Sequence, residues 1–556
     1  MDVGALYLGL DLSTQQLKGI VVDSASRIVL ETNIVFDESF PEYHTTNGRH
    51  VQGNIVTAPV FMWIEAIDML LSRIQSAGLA SRICGISGAA QQHGSVYWSQ
   101  QGVEALGKLE AQRPLREQLE QVGALAILDS PVWEDSSTRA QCQRLEEIAG
   151  GNVELARISG SVAFERFTGA QIMKIKEQYA DSWSRVARIS LVSSFAASLL
   201  SGNIVPIDVS DASGTNLYDI EAKKWSRPLC DAIDPALVEM LGADVAMADR
   251  VIGTLSPYFA IKYGMNQCPV VSFTGDNPSA FGGFESMLDG EDQLAAVISL
   301  GTSDTMLSPL TLYPYAESAP AIATEHLDGH ILQHPTVSNR YVAMLCYKNG
   351  SLAREWVRDR CLSTDASGSW AEFNKAATIG PLAPTAFGFY YISTEILPKN
   401  ALGIHRFERV PCVGDIVCPS GTHYKRVQGF SAANGGDPRA ILESQVMAMR
   451  LDYLRKSGSP LSAVICTGGA SANPVLRQVV ANVLGVPVFA AGLQKHGVFE
   501  VGTLAMPAYG AAIRALRSLV PEPPTRLDGY VLQQVNQPDC DMYELYTGAM
   551  ADFEFL

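Results

Sequence analysis

The chain has 556 residues, 47% of them hydrophobic and 18% charged, with 41 Lys and Arg set against 58 Asp and Glu for a formal net charge of −17. That length accommodates two to four ordinary domains, or two large ones, and the apolar content can fill their cores. The acidic balance, with no long basic run, disfavours nucleic acid as the main partner, because neutralising phosphates needs a basic surface; no apolar run reaches about 18 residues, so no membrane span is expected.

An acidic surface still permits an anionic cofactor, held locally by backbone N–H groups and a magnesium ion. The ten cysteines are scattered, with neither Cys-x-x-Cys nor zinc spacing, and read as free thiols in a reducing compartment. The N-terminus lacks the order of a secretory leader and the Arg/Ser richness of a transit segment, so the cytosol is the expected location.

In chain order, residues 7–11 (YLGLD) and 17–22 (LKGIVV) are short β-rich runs that read as a hairpin joined at 13–16. Residues 58–77 place apolar side chains at helical spacing and stop at Gly78, and 83–86 reads as a buried strand. Residues 101–128 form a polar helical insertion without an assigned role. The order recurs later: 295–300 is a strand, Gly-Thr-Ser-Asp-Thr a turn, and Met306 and Leu307 continue as strand. An amphipathic helix at 440–454, a buried strand at 463–466, a glycine turn and a helix at 474–484 follow. Two related α/β domains are therefore expected, 1–288 and 289–520, divided at the acidic stretch 289–293. A Pro-rich tail, 521–556, is expected to wrap the surface or to be poorly ordered.

Four turns carry chemistry. Asp11-Leu12-Ser13-Thr14-Gln15-Gln16 lies between two strands, and its hydroxyls and N–H groups can face a phosphate. Asp11 can hold Mg²⁺, with Lys18 near by. Gly301 and Thr302 belong to a second turn of the same design, residues 299–305. Alone, each is more often an ordinary connection; together they suggest a cleft gripping phosphate from two sides. Residues 465–474 end a strand in paired glycines before Pro474, a setting for a nucleotide at a helix N-terminus. Neither a dinucleotide fingerprint nor a P-loop occurs, and the protein-kinase signatures are absent. Asp276, in Thr-Gly-Asp-Asn-Pro, can accept a hydroxyl proton, or simply stabilise its turn. The loops 88–95, 131–138 and 164–169 add His93, an aromatic plate at Trp133 and Arg166, side chains of the kind that bind sugars.

Taken in order and spacing, DLSTQQLK, GAAQQHGSVYW, PVWEDSSTRAQC, ERFTGAQIMKI, SLVSSFAASL, TGDNP, SLGTSDT, CYKNGSL and TGGASAN resemble the FGGY carbohydrate kinases of the actin-like ATPase superfamily, from about Tyr7 to Leu516. The resemblance implies two actin-like (ribonuclease H-like) α/β domains around a central cleft. It implies ATP and Mg²⁺ as cofactors and a small sugar as partner, in a monomer or homodimer. The implied reaction makes D-xylulose 5-phosphate from D-xylulose, with 1-deoxy-D-xylulose, ribulose or glycerol as other acceptors and a non-catalytic ATP-gated clamp as the rival of another class. Carried over by matching residues, Asp276 resembles the catalytic base, and His93, Arg166, Asp276 and Asn277 the sugar contacts. Asp11, Ser13, Thr14 and Gln15 resemble the first phosphate turn, with Asp11 near Mg²⁺. Gly301 and Thr302 resemble the second turn, Gly469, Ala470 and Asn473 the adenosine contacts, and Trp356 a border of the nucleotide.

Overall fold

A computed structural model describes residues 4–288, 294–316, 327–362, 369–379, 384–411, 414–432, 436–457, 460–495, 498–502, 504–521 and 530–556. The expected divide at 289–293 lies outside the described residues.

Two sheets share one plan. In the first, β1 (Leu6–Leu12), β2 (Gln16–Asp23) and β3 (Ile28–Val35) form an antiparallel meander. β4 (Ile83–Ala90) then pairs parallel to β1, and β5 (Pro269–Val271) parallel to β4. In the second, β6 (Ala295–Leu300), β7 (Asp304–Leu310) and β8 (Tyr341–Tyr347) repeat the meander. β9 (Ala463–Thr467) and β10 (Val488–Lys495) repeat the parallel additions. The spatial orders β3-β2-β1-β4-β5 and β8-β7-β6-β9-β10 therefore coincide. β1 is buried along its whole length, as suits a strand between two neighbours with both faces covered.

Helix α1 (Val60–Ser76) packs on β2 and β3 with its apolar stripe, close to the stretch that the periodicity marks. α2 (Asp276–Glu285) and α6 (Met506–Leu519) lie between the sheets, while α3 (Trp370–Thr378), α4 (Gly436–Ser457) and α5 (Pro474–Leu484) build the second lobe. Phe281 and Phe284 of α2 and Met506, Tyr509 and Leu516 of α6 share one core with Tyr7, Ile20 and Val22 of the first sheet. Val297, Leu307 and Ile465 of the second sheet close the same core. The two helices touch at glycines: a Cβ on Gly510 would stand 2.2 Å from the Ser279 carbonyl oxygen, and one on Gly283 2.9 Å from the Gly510 Cα. Beside the crossing, buried Arg514 donates to Ser87 Oγ (3.2 Å), Ser279 Oγ (3.1 Å) and the Gly88 carbonyl (2.6 Å), fastening a helix from the end of the chain to the first sheet.

The insertion at 101–128 contains two short helices, Gln100–Leu106 and Leu115–Gln121, whose Leu106, Leu115 and Leu119 enter the first core. The end of the chain is built into the second lobe. Tyr530–Asn536 pairs antiparallel with β10, and α7 (Cys540–Phe555) packs Met542, Tyr546 and Phe553 into the core around α4 and α5.

The crossing predicts opposite outcomes for neighbouring glycines. Gly510→Ala is expected to cost about 2–3 kcal/mol, because a backbone oxygen already occupies the space. Gly282→Ala in the facing helix α2, where a Cβ would meet nothing within 4 Å, is expected to add up to about 1 kcal/mol. Urea denaturation midpoints of the two variants measure both.

Candidate active site

The chain turns at the carboxyl end of β4, where Thr274 and Gly275 pair with Ala89 and Ala90, and Asp276 opens α2. Asp276 is half-buried. Its Oδ1 accepts from the Asn277 backbone N–H at 2.8 Å and from Asn277 Nδ2 at 3.1 Å; the same amide also reaches Gln92 Oε1 at 3.3 Å. Asp11 stands at the end of β1, in register with Lys18 on β2 and Ala89 on β4. Its Oδ2 accepts from Ser13 Oγ at 2.7 Å, while its Oδ1 is buried without a partner. Loss of water around Asp276, reinforced by the Asp11 charge, pushes its carboxyl up to about 7. Burial likewise lifts Asp11 to about 6, against the Ser13 hydrogen bond and the Lys18 charge.

His93 is a non-glycine residue at φ 72°, in the left-handed region. Its Nδ1–H donates to the Gly214 carbonyl at 3.0 Å, and its ring stacks on Phe167 at 4.5 Å. Burial, then the Arg166 charge, pushes it down to about 3, so the ring is neutral and its Nε2 is an acceptor. Arg166 lies over the Phe164 ring at 5.9 Å. Four further residues join this wall without having been singled out individually from the sequence. His330, from the second half, sets its ring 6.4 Å from His93 and 4.8 Å from Phe167. Gln91 (both amide atoms), Gln92 Nε2 and Asp211 Oδ1 are buried polar atoms without a partner. Such an atom costs about 1–3 kcal/mol when left unpaired, so the wall offers hydrogen bonds that a polar ligand can take up. Gln91 and Gln92 adjoin His93 in sequence; the contribution of His330 is visible only once the lobes meet.

The second hydroxyl turn borders a cavity of about 650 Å³, inside the range of small-molecule sites. Gly301, Thr302, Gly469, Ala470 and Asn473 line it together, at the N-terminus of α5. Asn473 caps that helix through Val475 N–H (3.0 Å) and donates to Asn374 Oδ1 of α3 at 2.8 Å. Trp356 does not border the cavity; it packs on Phe430 at 5.2 Å with Arg360 over its face, and Trp370 forms the aromatic wall instead. The carboxylate of this turn is closed off: buried Asp304 takes two bonds from Arg354 (2.6 and 3.0 Å) and one from the Gly301 N–H (3.1 Å). In the first turn Ser13 is bound to Asp11, Thr14 Oγ1 accepts from Trp133 Nε1–H at 2.9 Å, and Gln15 is exposed.

Comparison with known proteins gives this geometry a context. The model of the N-terminal domain of the FGGY family of carbohydrate kinases matches residues 126–283, and that of the C-terminal domain matches 432–519. Xylulose kinase 2 of Arabidopsis thaliana is 38% identical over 526 residues, covering 93% of this chain and 89% of its own. A xylulose kinase of Mus musculus is 38% identical over 519 residues, covering 92% and 86%. The crystal structure of a xylulose kinase from Rhodospirillum rubrum superposes with a TM-score of 0.74 at 15% identity over 99% of this chain and 98% of that one, a likeness of fold.

A raised carboxyl also predicts a stability difference. The folded value of about 7 lies above the ordinary 3.8, so the folded chain holds the Asp276 proton more tightly than the unfolded one. The resulting stability is complete below pH about 4 and is lost as the pH rises through about 7. Asn imitates the neutral acid. Asp276→Asn is therefore expected to be more stable than the natural chain at pH 8 by about 1–2 kcal/mol, a figure discounted for the solvent reaching a half-buried group. The gap should narrow steadily towards pH 4, and denaturant titrations at several pH values follow it.

Proposed function

The chain belongs to the FGGY family of carbohydrate kinases, and on that premise we propose that it transfers the γ-phosphoryl group of ATP to D-xylulose, giving D-xylulose 5-phosphate and ADP. Relatives named as xylulose kinases, alike over more than nine-tenths of this chain, support the choice of sugar. The observation that carries the chemistry is the Asp276 carboxyl, tuned to about 7 at the mouth of a wall of unpartnered polar atoms. A base is most effective when its pKa lies near the working pH.

In this reading Asp276 accepts the proton of the 5-hydroxyl as that oxygen bonds to the γ-phosphorus and the bond to the ADP oxygen breaks. Asn277 holds the carboxylate in place through the two bonds to its Oδ1. Neutral His93 offers an acceptor and Arg166 donors to the sugar oxygens, while Gln91 and Gln92 take up others. Ser13, Thr14 and Gln15 face the transferring phosphate from the first lobe, and Gly301 and Thr302 from the second. Gly469, Ala470, Asn473 and Trp370 hold the nucleoside in the 650 Å³ cavity. A cation suits Asp11, whose Oδ1 is buried without a partner. Among the described residues no group of three or more His, Cys, Asp or Glu side chains is arranged for a metal, which fits an ion that keeps water and phosphate ligands. Mg²⁺ held there would neutralise charge on the phosphate oxygens.

Asp276→Ala is expected to lower kcat by about 10²–10⁴-fold while ATP affinity changes little. Coupled ADP release and calorimetric ATP titration measure the two, and near-normal turnover would remove Asp276 from its role. Chelation by EDTA should abolish turnover, and added Mg²⁺ restore it. In a panel of D-xylulose, 1-deoxy-D-xylulose, D-ribulose and glycerol, D-xylulose should show the highest kcat/KM. Mass spectrometry and NMR identify the product, and a higher value for another acceptor reassigns the substrate.

A further inference from the structure

The sequence offers Trp133 as an aromatic plate for a sugar, yet its Nε1–H donates to Thr14 Oγ1 at 2.9 Å, joining two loops 119 residues apart in the chain. The ring is 40% exposed, so burial does not explain where it stands. Its loop does. On one side Val132 is buried and its N–H bonds the Val56 carbonyl at 3.2 Å. On the other, buried Asp135 takes the Val56 N–H at 3.0 Å and Lys174 Nζ at 3.1 Å. Glu134 pairs with Arg49 at 2.6 Å. Arg49 follows Gly48, whose φ is 75° and where a Cβ would stand 2.1 Å from the Thr14 carbonyl oxygen. One loop thus packs closely against the threonine backbone, and another bonds its hydroxyl.

A hydroxyl oxygen that accepts a hydrogen bond keeps its own proton to give, and the accepted bond polarises it. No side chain among the described residues donates in this way to Thr302, the exposed hydroxyl of the second turn. The loop bearing Trp133 also touches the sugar wall: Thr138 Oγ1 donates to the Glu165 carbonyl, next to Arg166, at 2.5 Å. A Cβ on Gly94, next to His93, would lie 3.1 Å from the Pro131 carbonyl oxygen.

We propose that Trp133 is a positioning residue for phosphoryl transfer: its indole N–H fixes Thr14 Oγ1 so that the threonine O–H is aimed at a phosphate oxygen. The proposal rests on the reading of residues 13–15 as a phosphate turn. It makes the sugar-side loop a structural partner of that turn.

The test uses initial rates of ADP release from ATP and D-xylulose with the full chain. Trp133→Phe, which keeps the ring and loses the N–H, is expected to lower kcat by about 3- to 10-fold, the worth of one hydrogen bond, with KM for D-xylulose within about 2-fold. Thr14→Ala is expected to lower kcat by about 10-fold or more. The double variant should match Thr14→Ala within about 2-fold, because the indole acts only through the hydroxyl. If Trp133→Phe keeps its kcat while Thr14→Ala loses it, or if the double variant falls by the product of the two losses, the positioning role is overturned and the phosphate turn stands. An undiminished Thr14→Ala overturns the turn itself and the proposal with it. Should Trp133→Phe prove too unstable to assay, Trp133→Gln retains an N–H donor and Trp133→Leu does not. The glutamine variant should then turn over faster, and equal or reversed rates overturn the role.

Discussion

Two helices that cross at a point where neither can carry a side chain determine where everything else stands. Asp276 is the first residue of one of them, so the close approach of Gly283 to Gly510 sets where that helix lies, and the two bonds from Asn277 orient the carboxylate. Arg514 ties the second helix to β4 through Ser87 Oγ and the Gly88 carbonyl and to α2 through Ser279 Oγ, beside the strand end where Gln91 and Gln92 begin. At its other end, Glu285 of α2 bonds His334 Nε2 of the second half at 2.8 Å. The helix that carries the proposed base is therefore fixed by contacts to both lobes, and a relative movement of the lobes would be felt at Asp276.

Burial shapes the chemistry as much as the residue types do. A helix N-terminus ordinarily favours an ionised carboxylate, yet Asp276 is pushed up to about 7 because little water and a second carboxyl lie near it. Burial and the neighbouring Arg166 charge hold His93 neutral. The unpaired amide of Gln91, Nε2 of Gln92 and Oδ1 of Asp211 are the cost of leaving room for a ligand, a usual trade between stability and function.

Much of this was legible from local pattern. The hairpin turn at 13–16 and the 474–484 helix appear where hydroxyl, glycine and proline signals lie, and the repeated order of elements in the two halves matches the two equivalent sheets. Long-range and facial relationships were not. His330 reaches His93 only because the lobes pack, which no spacing records. Arg354 of the helix Ser351–Cys361 faces the second turn through Asp304, whereas Trp356, which the resemblance put at the nucleotide's border, falls on another face of that helix. The proline cluster at 521–524 outweighed a real signal farther on: Met542, Tyr546 and Phe553 lie at helical spacing and are buried.

The two hydroxyl turns follow one plan, each joining the first two strands of its sheet, and their carboxylates are matched differently. Asp304 is neutralised by Arg354 inside its own lobe, whereas the outer oxygen of Asp11 has been left unmatched. One lobe is electrically finished and the other is waiting for a positive charge. On the proposed reading, a phosphoryl group bound between them would meet an uneven field, and that imbalance would give the cleft a built-in sense of direction, from the lobe proposed to store the nucleotide to the lobe proposed to receive its terminal group.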